Sequence, residues 1–231
     1  MENQNLPGYT PVSQVSMTAR ANFISKTYAH VTMAIILFTV IESYLFRSGL
    51  IVPLSQWLLS FNWLIVVGAL MGISWLATHV SLRMPSKPLQ YLALAGFVAA
   101  QAVIFAPMLL IASTSKPGII EDAAQITVIG CLGLSAVAFI TRKDFSFLRG
   151  ALVWAGVLAL VAIVCGVLFG FQLGTWFSVA MIGFAGAAVL YDTSNIIHHY
   201  PEDRYVAAAL ALFSSIILMF WYVLRLLMSR R

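Results

Sequence analysis

The sequence predicts an all-α polytopic membrane protein, a bundle of seven transmembrane helices. Three observations carry that expectation. Of the 231 residues, 61% are hydrophobic and only 9% are charged. So few charges cannot cover the apolar surface of a soluble domain of this length. The apolar residues also fall into runs of about 20, the length needed to cross hydrocarbon as a helix. Those runs are too long for barrel strands and lack their alternation, which leaves helices as the backbone solution inside a bilayer.

The runs are 25–46, 63–82, 89–113, 124–140, 150–171, 175–197 and 205–228. Short connections punctuate them: Pro53 in the first, Pro85 and Pro88 in the second, Pro117-Gly118 in the third, Gly170 to Gly174 in the fifth. Pro107 inside the third run predicts a kink or local break, because proline removes a helical hydrogen bond and crowds the preceding turn. The first 22 residues are polar, with Pro7, Gly8 and Pro11, and read as a flexible N-terminal tail before a membrane domain over 23–231. They show no basic start followed by an apolar core and a cleavage site, so no cleaved leader is expected.

Charge placement sets the expected orientation. The net charge is +5. Eight Lys and Arg (Arg20, Lys26, Arg83, Lys87, Arg142, Lys143, Arg149, Arg204) lie in the tail and the even connections, against Arg47 and Lys116 in the odd ones. The bias predicts a cytoplasmic N-terminus, although Arg225, Arg230 and Arg231 at the other end oppose it. Basic residues scattered at helix ends form no nucleic-acid stripe, so no nucleic-acid partner is expected. Cys131 and Cys165 lie within apolar runs and read as small core hydrophobes.

Helix contacts should follow small residues, which let backbones approach. Ala207, Ala211 and Ser215 form one such stripe, Gly183 and Ala187 (continued by Tyr191) a second, and Gly96 and Ala100 a third.

One residue stands apart from this pattern. Asp192 follows the apolar and small residues of 175–188, and Ile196 and Ile197 continue the run beyond it. An ionisable group in hydrocarbon costs about 3 kcal/mol on insertion scales, so it marks a candidate site. Asp192, Asn195 and His199 recur at three- and four-residue steps on one helical stripe. As metal ligands they are too few and too mixed; no cofactor is expected, and His198 and His199 read as surface groups. His79, near the same end of the second run, is a possible neighbour of Asp192 in depth, though a surface-seeking role is the simpler one. Glu42 and Arg225 lie near the ends of the first and last runs, where independent snorkelling to the interface is the preferred reading over a pair.

Enzyme signatures are missing. Gly72-Ile73-Ser74-Trp75 is no glycine-flanked nucleophile, there is no His-Glu-x-x-His, and there is no phosphate loop. The expectation is a protein that is not an enzyme.

Three stretches resemble the Bax inhibitor-1 family of seven-helix membrane proteins. They are Tyr191-Asp192-Thr193-Ser194-Asn195-Ile196-Ile197-His198, Thr141-Arg142-Lys143-Asp144-Phe145-Ser146-Phe147-Leu148, and the last run from Tyr205-Val206 through Phe220. Lys26-Thr27-Tyr28 and Gly96-Phe97 to Pro107 match more weakly. The resemblance implies the family's seven-helix bundle and a proton-sensitive calcium leak controlled by two aspartates, with Ca2+ as permeating ion. Asp192 matches the first aspartate; Ser215 stands where the family has the second. The proton-sensing and pore candidates are therefore Asp192, Ser215, Tyr191, Asn195 and His79.

That departure looks most similar to a bacterial inner-membrane branch whose known member is a substrate and modulator of the membrane-bound AAA protease FtsH. The resemblance thus implies two alternatives, a protease-modulating stress or homeostasis protein, or a cation leak with one family aspartate. Counting inward from the last turn places Ser215 some six residues deeper than Asp192, so direct contact would need tilt, a helix break or a bridging water.

Overall fold

The computed structural model describes residues 11–170 and 172–229. Eight helices occupy them: α1 Met17–Arg47, α2 Ile51–Leu59, α3 Trp63–Arg83, α4 Lys87–Ser115, α5 Ile119–Thr141, α6 Leu148–Phe169, α7 Thr175–His198 and α8 Tyr205–Ser229. Seven are long and apolar enough to cross a membrane. The exception is α2, nine residues in the first connection, which run length could not reveal. Pro53 is its third residue, where the missing N–H belongs to a first turn that has no acceptor for it anyway.

The chain expected to be tail up to residue 22 is partly built into the fold. Residues 1–10 lie outside the described residues. Val12 is fully buried, and helix α1 already starts at Met17, where Ser16 accepts a hydrogen bond from the Ala19 amide at 3.3 Å. Polar composition concealed this because α1 is 31 residues long. At 1.5 Å per residue that is about 46 Å, well beyond the ~30 Å of hydrocarbon, so its first turns need not be apolar.

Helix α4 runs without interruption through Pro107, which is buried in it. The expected break is not there. Tight reversals need positive φ at Gly118 (81°) and Gly170 (73°), open to glycine without a Cβ penalty. Arg142 also turns through positive φ, at 51°, at the end of α5.

Helix α8 is the centre of the bundle. It packs most extensively on α7, then on α5, α1 and α4, and residues on all of its faces are buried. An aromatic block joins it to α1 and α4: Phe105 stacks on Phe220 at 5.6 Å and meets Trp221 and Phe38 edge-on, while Phe97 meets Phe213 at 6.2 Å. Helix α6 contributes no buried residue and rests mainly on α7.

Small residues guide the packing, with one register corrected. Ala207 and Ser215 on α8 are buried as the stripe requires. On α7 the buried face is Ser178, Met181, Ala185, Val189 and Thr193, not Gly183 and Ala187. The close approach is at Gly186, where a Cβ would stand 3.2 Å from Leu134 Cδ1 and 3.5 Å from Met219 Cε. Gly96 is exposed, with nothing within 4 Å of a built Cβ, so the α4 stripe turns outward at Gly96, while Ala100 is half-buried beside α2 and α3. Spacing identified small residues without telling which side of each helix holds the neighbour.

Glu42 departs furthest from expectation. It does not snorkel: it is 6% exposed, and neither carboxyl oxygen has a hydrogen-bond partner among the described residues. Arg225 does not pair with it, and its Nη2 donates instead to the Leu173 carbonyl at 2.8 Å.

Candidate functional site

Asp192 sits on α7 six residues before that helix ends at His198, and is half-buried. Ser215 sits ten residues into α8 and is buried. The Ser215 hydroxyl donates directly to Asp192 Oδ2 at 2.5 Å. The depth mismatch anticipated from counting is thus absorbed without a helix break. With both helix ends now fixed, the offset is four residues, or ~6 Å. The six-residue connection 199–204 spans it by starting α8 beyond the end of α7. Ser215 can donate to this carboxyl in either protonation state, because one carboxyl oxygen always has a free lone pair.

Hydroxyls from three further positions gather beside this pair. Ser135 of α5 and Thr193 of α7, both buried, lie 3.2 Å apart, oxygen to oxygen. The phenol of Tyr28 on α1 approaches both and is close enough to Asp192 to feel its charge, yet its buried hydroxyl forms no well-aligned hydrogen bond. Four helices therefore contribute to one polar interior around a single carboxyl.

Of the other candidates, Tyr191 and Asn195 are half-buried on α7. The Asn195 carbonyl accepts the amides of His199 and Tyr200 at 2.8 and 3.1 Å, which ends the helix. Asp192 and Tyr191 both lie near the Tyr200 phenol, whose pKa is raised by burial first, then by Asp192 and then by Tyr191. His79 stays apart, its ring 5.3 Å from Trp75 of its own helix, a side chain 68% exposed. The structure thus joins Asp192 to Ser215, while among the described residues His79 packs on Trp75 and not on either of them.

Just beyond Asp192, two segments fasten the end of α7. From the α5–α6 loop, the Phe145 amide donates to Ser194 Oγ at 2.9 Å, and the Asp144 carboxylate meets His199 Nε2 at 2.9 Å. Partial burial pushes the Asp144 carboxyl up, but the Ser146 amide and His199 outweigh it and hold its pKa below the ordinary value. From the N-terminal side, Val12 donates its amide to the Tyr200 carbonyl and Ser13 its hydroxyl to the His198 carbonyl, each at 2.9 Å. The sequence reading missed Tyr28, Ser135, Thr193 and the strap at 12–13. Thr193 and Tyr28 lie inside the stretches that carry the family resemblance, a signal that was available; nothing in the sequence marked Ser135 or Val12.

This geometry can hold a proton, order a hydroxyl network and brace two connections, and among the described residues no group of three His, Cys, Asp or Glu could hold a metal ion. A seven-span bundle built this way is a multi-pass membrane protein. The chain belongs to the Bax inhibitor-1 family, since the family described as "Inhibitor of apoptosis-promoting Bax1" matches residues 20–231. It is similar to Bax inhibitor 1 of Schizosaccharomyces pombe, 26% identical over 94% of this chain and 80% of that one. It is also 30% identical to the modulator of FtsH protease YccA of Escherichia coli, over 65% of this chain and 68% of that one. An uncharacterised protein of Pseudomonas aeruginosa is 38% identical over 47% of this chain, and there the alignment spans about half of the relative, 49%.

Proposed function

We propose that this protein modulates a membrane-bound AAA protease of the FtsH type, from a bacterial inner membrane, with its N-terminus in the cytoplasm. The observation that supports this reading is the similarity to YccA over 65% of this chain and 68% of that one. The site agrees with it. Asp192 faces a hydroxyl and not a second carboxyl, so the repulsion between two acids that would raise one pKa and gate a pore is missing. The basic bias toward the N-terminal side supports the orientation. Nothing in the site supplies an activated nucleophile or a paired acid and base, and no catalytic role is proposed.

The test is reconstitution of the protein with an FtsH-type protease and a membrane substrate in vesicles. Substrate lifetime should lengthen with the protein present; an unchanged lifetime over a tenfold range of protein-to-protease ratio removes the proposal. Residues 1–10 have the composition of a handle for extraction. Deleting them alone should lengthen the protein's own lifetime in protease-competent cells. The deletion should stop there, because Val12, Ser13 and Ser16 make contacts that the fold uses.

A cation leak is the second reading, favoured by a half-buried intramembrane carboxyl in a cluster of hydroxyls from four helices. Calcium flux into liposomes containing only this protein distinguishes the two. We expect little flux, weakly dependent on pH, and a rise with stronger pH dependence in Ser215→Asp, which restores a second acid. Selective flux in the wild type that is lost in Asp192→Asn would establish the leak instead.

A further inference from the structure

We propose that the N-terminal end of the bundle carries a binding site for a phosphate anion, built by Lys26, Lys87 and Arg204 around Tyr205, and that the headgroup of an anionic phospholipid occupies it. Three elements converge there. Lys26 of α1 and Lys87 of α4 both place their ammonium groups over the ring of Tyr205, 5.5 and 4.5 Å from its centroid. Arg204 is the residue before α8. Its Nη1 donates to the Met84 carbonyl at 2.6 Å, and its Nε pairs with Asp203 Oδ2 at 3.2 Å.

The charge does not balance within the cluster. Lys26 and Arg204 repel the Lys87 ammonium and Asp203 attracts it. Asp203 is engaged by Arg204 and 59% exposed. Against three cations this one acid leaves about two positive charges. The other partners of Lys87 are neutral: the Asp203 carbonyl and, at 3.4 Å, Gln90 Oε1. Two ammonium groups on one ring with so little counter-charge make a site that a further anion stabilises, and a ring face alone offsets each cation only weakly in water.

The remaining groups suit a phosphate. Tyr91 and Tyr205 share one hydrogen bond at 2.7 Å, which uses one of their two hydroxyl hydrogens and leaves the other free to donate to an anionic oxygen. The His30 ring stacks on Tyr91 at 5.5 Å and tilts against Tyr205 at 5.1 Å, fixing both rings. The cluster is level with the first residues of two spanning helices, α4 and α8. That is the depth of the lipid phosphates, and Lys26 and Tyr91 are exposed there.

The test uses the full purified chain in detergent, with thermal unfolding and native mass spectrometry as readouts. Phosphatidylglycerol should raise the melting temperature and be retained at least several-fold over phosphatidylcholine. Lys26→Gln/Lys87→Gln should lose that preference, while Lys143→Gln/Arg149→Gln, which removes two charges from the same end, should keep it. Lys26→Gln alone, at an exposed side chain, should weaken retention and guards against a folding defect in the double variant. If inorganic phosphate gives the same saturable rise with the same dependence on the two lysines, the site takes free phosphate and the lipid assignment falls. Equal retention of the two lipids by the wild type, or equal loss in both double variants, overturns the site altogether.

Discussion

Helices α6 and α8 look alike as sequence and occupy opposite environments. Both are apolar runs of spanning length; α8 has buried residues on every face, and α6 has none. In water the more apolar helix would be the more buried one. In a bilayer, lipid tails are as apolar as leucine, so hydrophobicity assigns a helix to the membrane and says nothing of its place in the bundle. What separates the two is detail. Helix α8 interleaves alanines with large aromatics that find partners across it, and it carries a serine set against the one acid of α7. Helix α6 leaves Trp154 70% and Phe169 77% exposed.

If that contrast is physical, truncating a side chain should cost far more on one helix than the other. Phe213→Ala removes a fully buried ring packed on Phe97 and should destabilise by about 3–4 kcal/mol, chiefly through lost packing. Val157→Ala on α6, where the side chain is 53% exposed, should stay within about 0.5 kcal/mol. Thermal unfolding in detergent compares them directly, and similar losses would erase the distinction.

The fold class and all seven spans were legible because length and apolarity are imposed by the bilayer. The pairing of Asp192 with Ser215 was half legible. Residue types named both candidates, but a count from the turn could not know that the connection 199–204 starts α8 beyond the end of α7. The misplaced stripe at Gly183 has the same origin: small residues say that a neighbour is close, not which face it is on. Helix α2 and the strap at Val12 were hidden because short segments at the bundle's ends need neither length nor apolarity.

A second prediction concerns polar groups around the core, where use and non-use differ. Ser215 is engaged with Asp192; Glu42, on α1, has no hydrogen-bond partner for either oxygen among the described residues. A buried polar group left unpaired costs about 1–3 kcal/mol. Glu42→Met, similar in volume and free of that penalty, should therefore raise the stability by about that amount, whereas Glu42→Gln keeps an unpaired polar head and should change it little. A fall in melting temperature for Glu42→Met would mean that the carboxyl has a stabilising partner after all.

The smallest expected effect tests how α6 is held at all. With no fully buried side chain, it packs only partly on α7, and the loop leading into it is tied to α7 through Phe145 with Ser194 and Asp144 with His199. The second tie is solvent-facing, its side chains 46% and 42% exposed, so Asp144→Asn should cost only about 0.5 kcal/mol. The sign of its pH dependence follows from the lowered pKa of Asp144. A depressed folded-state pKa stabilises above the unfolded value of about 3.9 and loses that contribution as pH falls through the folded value. The gap between wild type and Asp144→Asn should therefore be present above the unfolded value and close as pH falls through the folded one. Melting curves at pH 3, 5 and 7 read the difference. A gap that widens toward pH 3 would show that ionised Asp144 destabilises the loop, and α6 would then be held by its packing on α7 and by the contacts of Ser194 with Phe145 and Lys143.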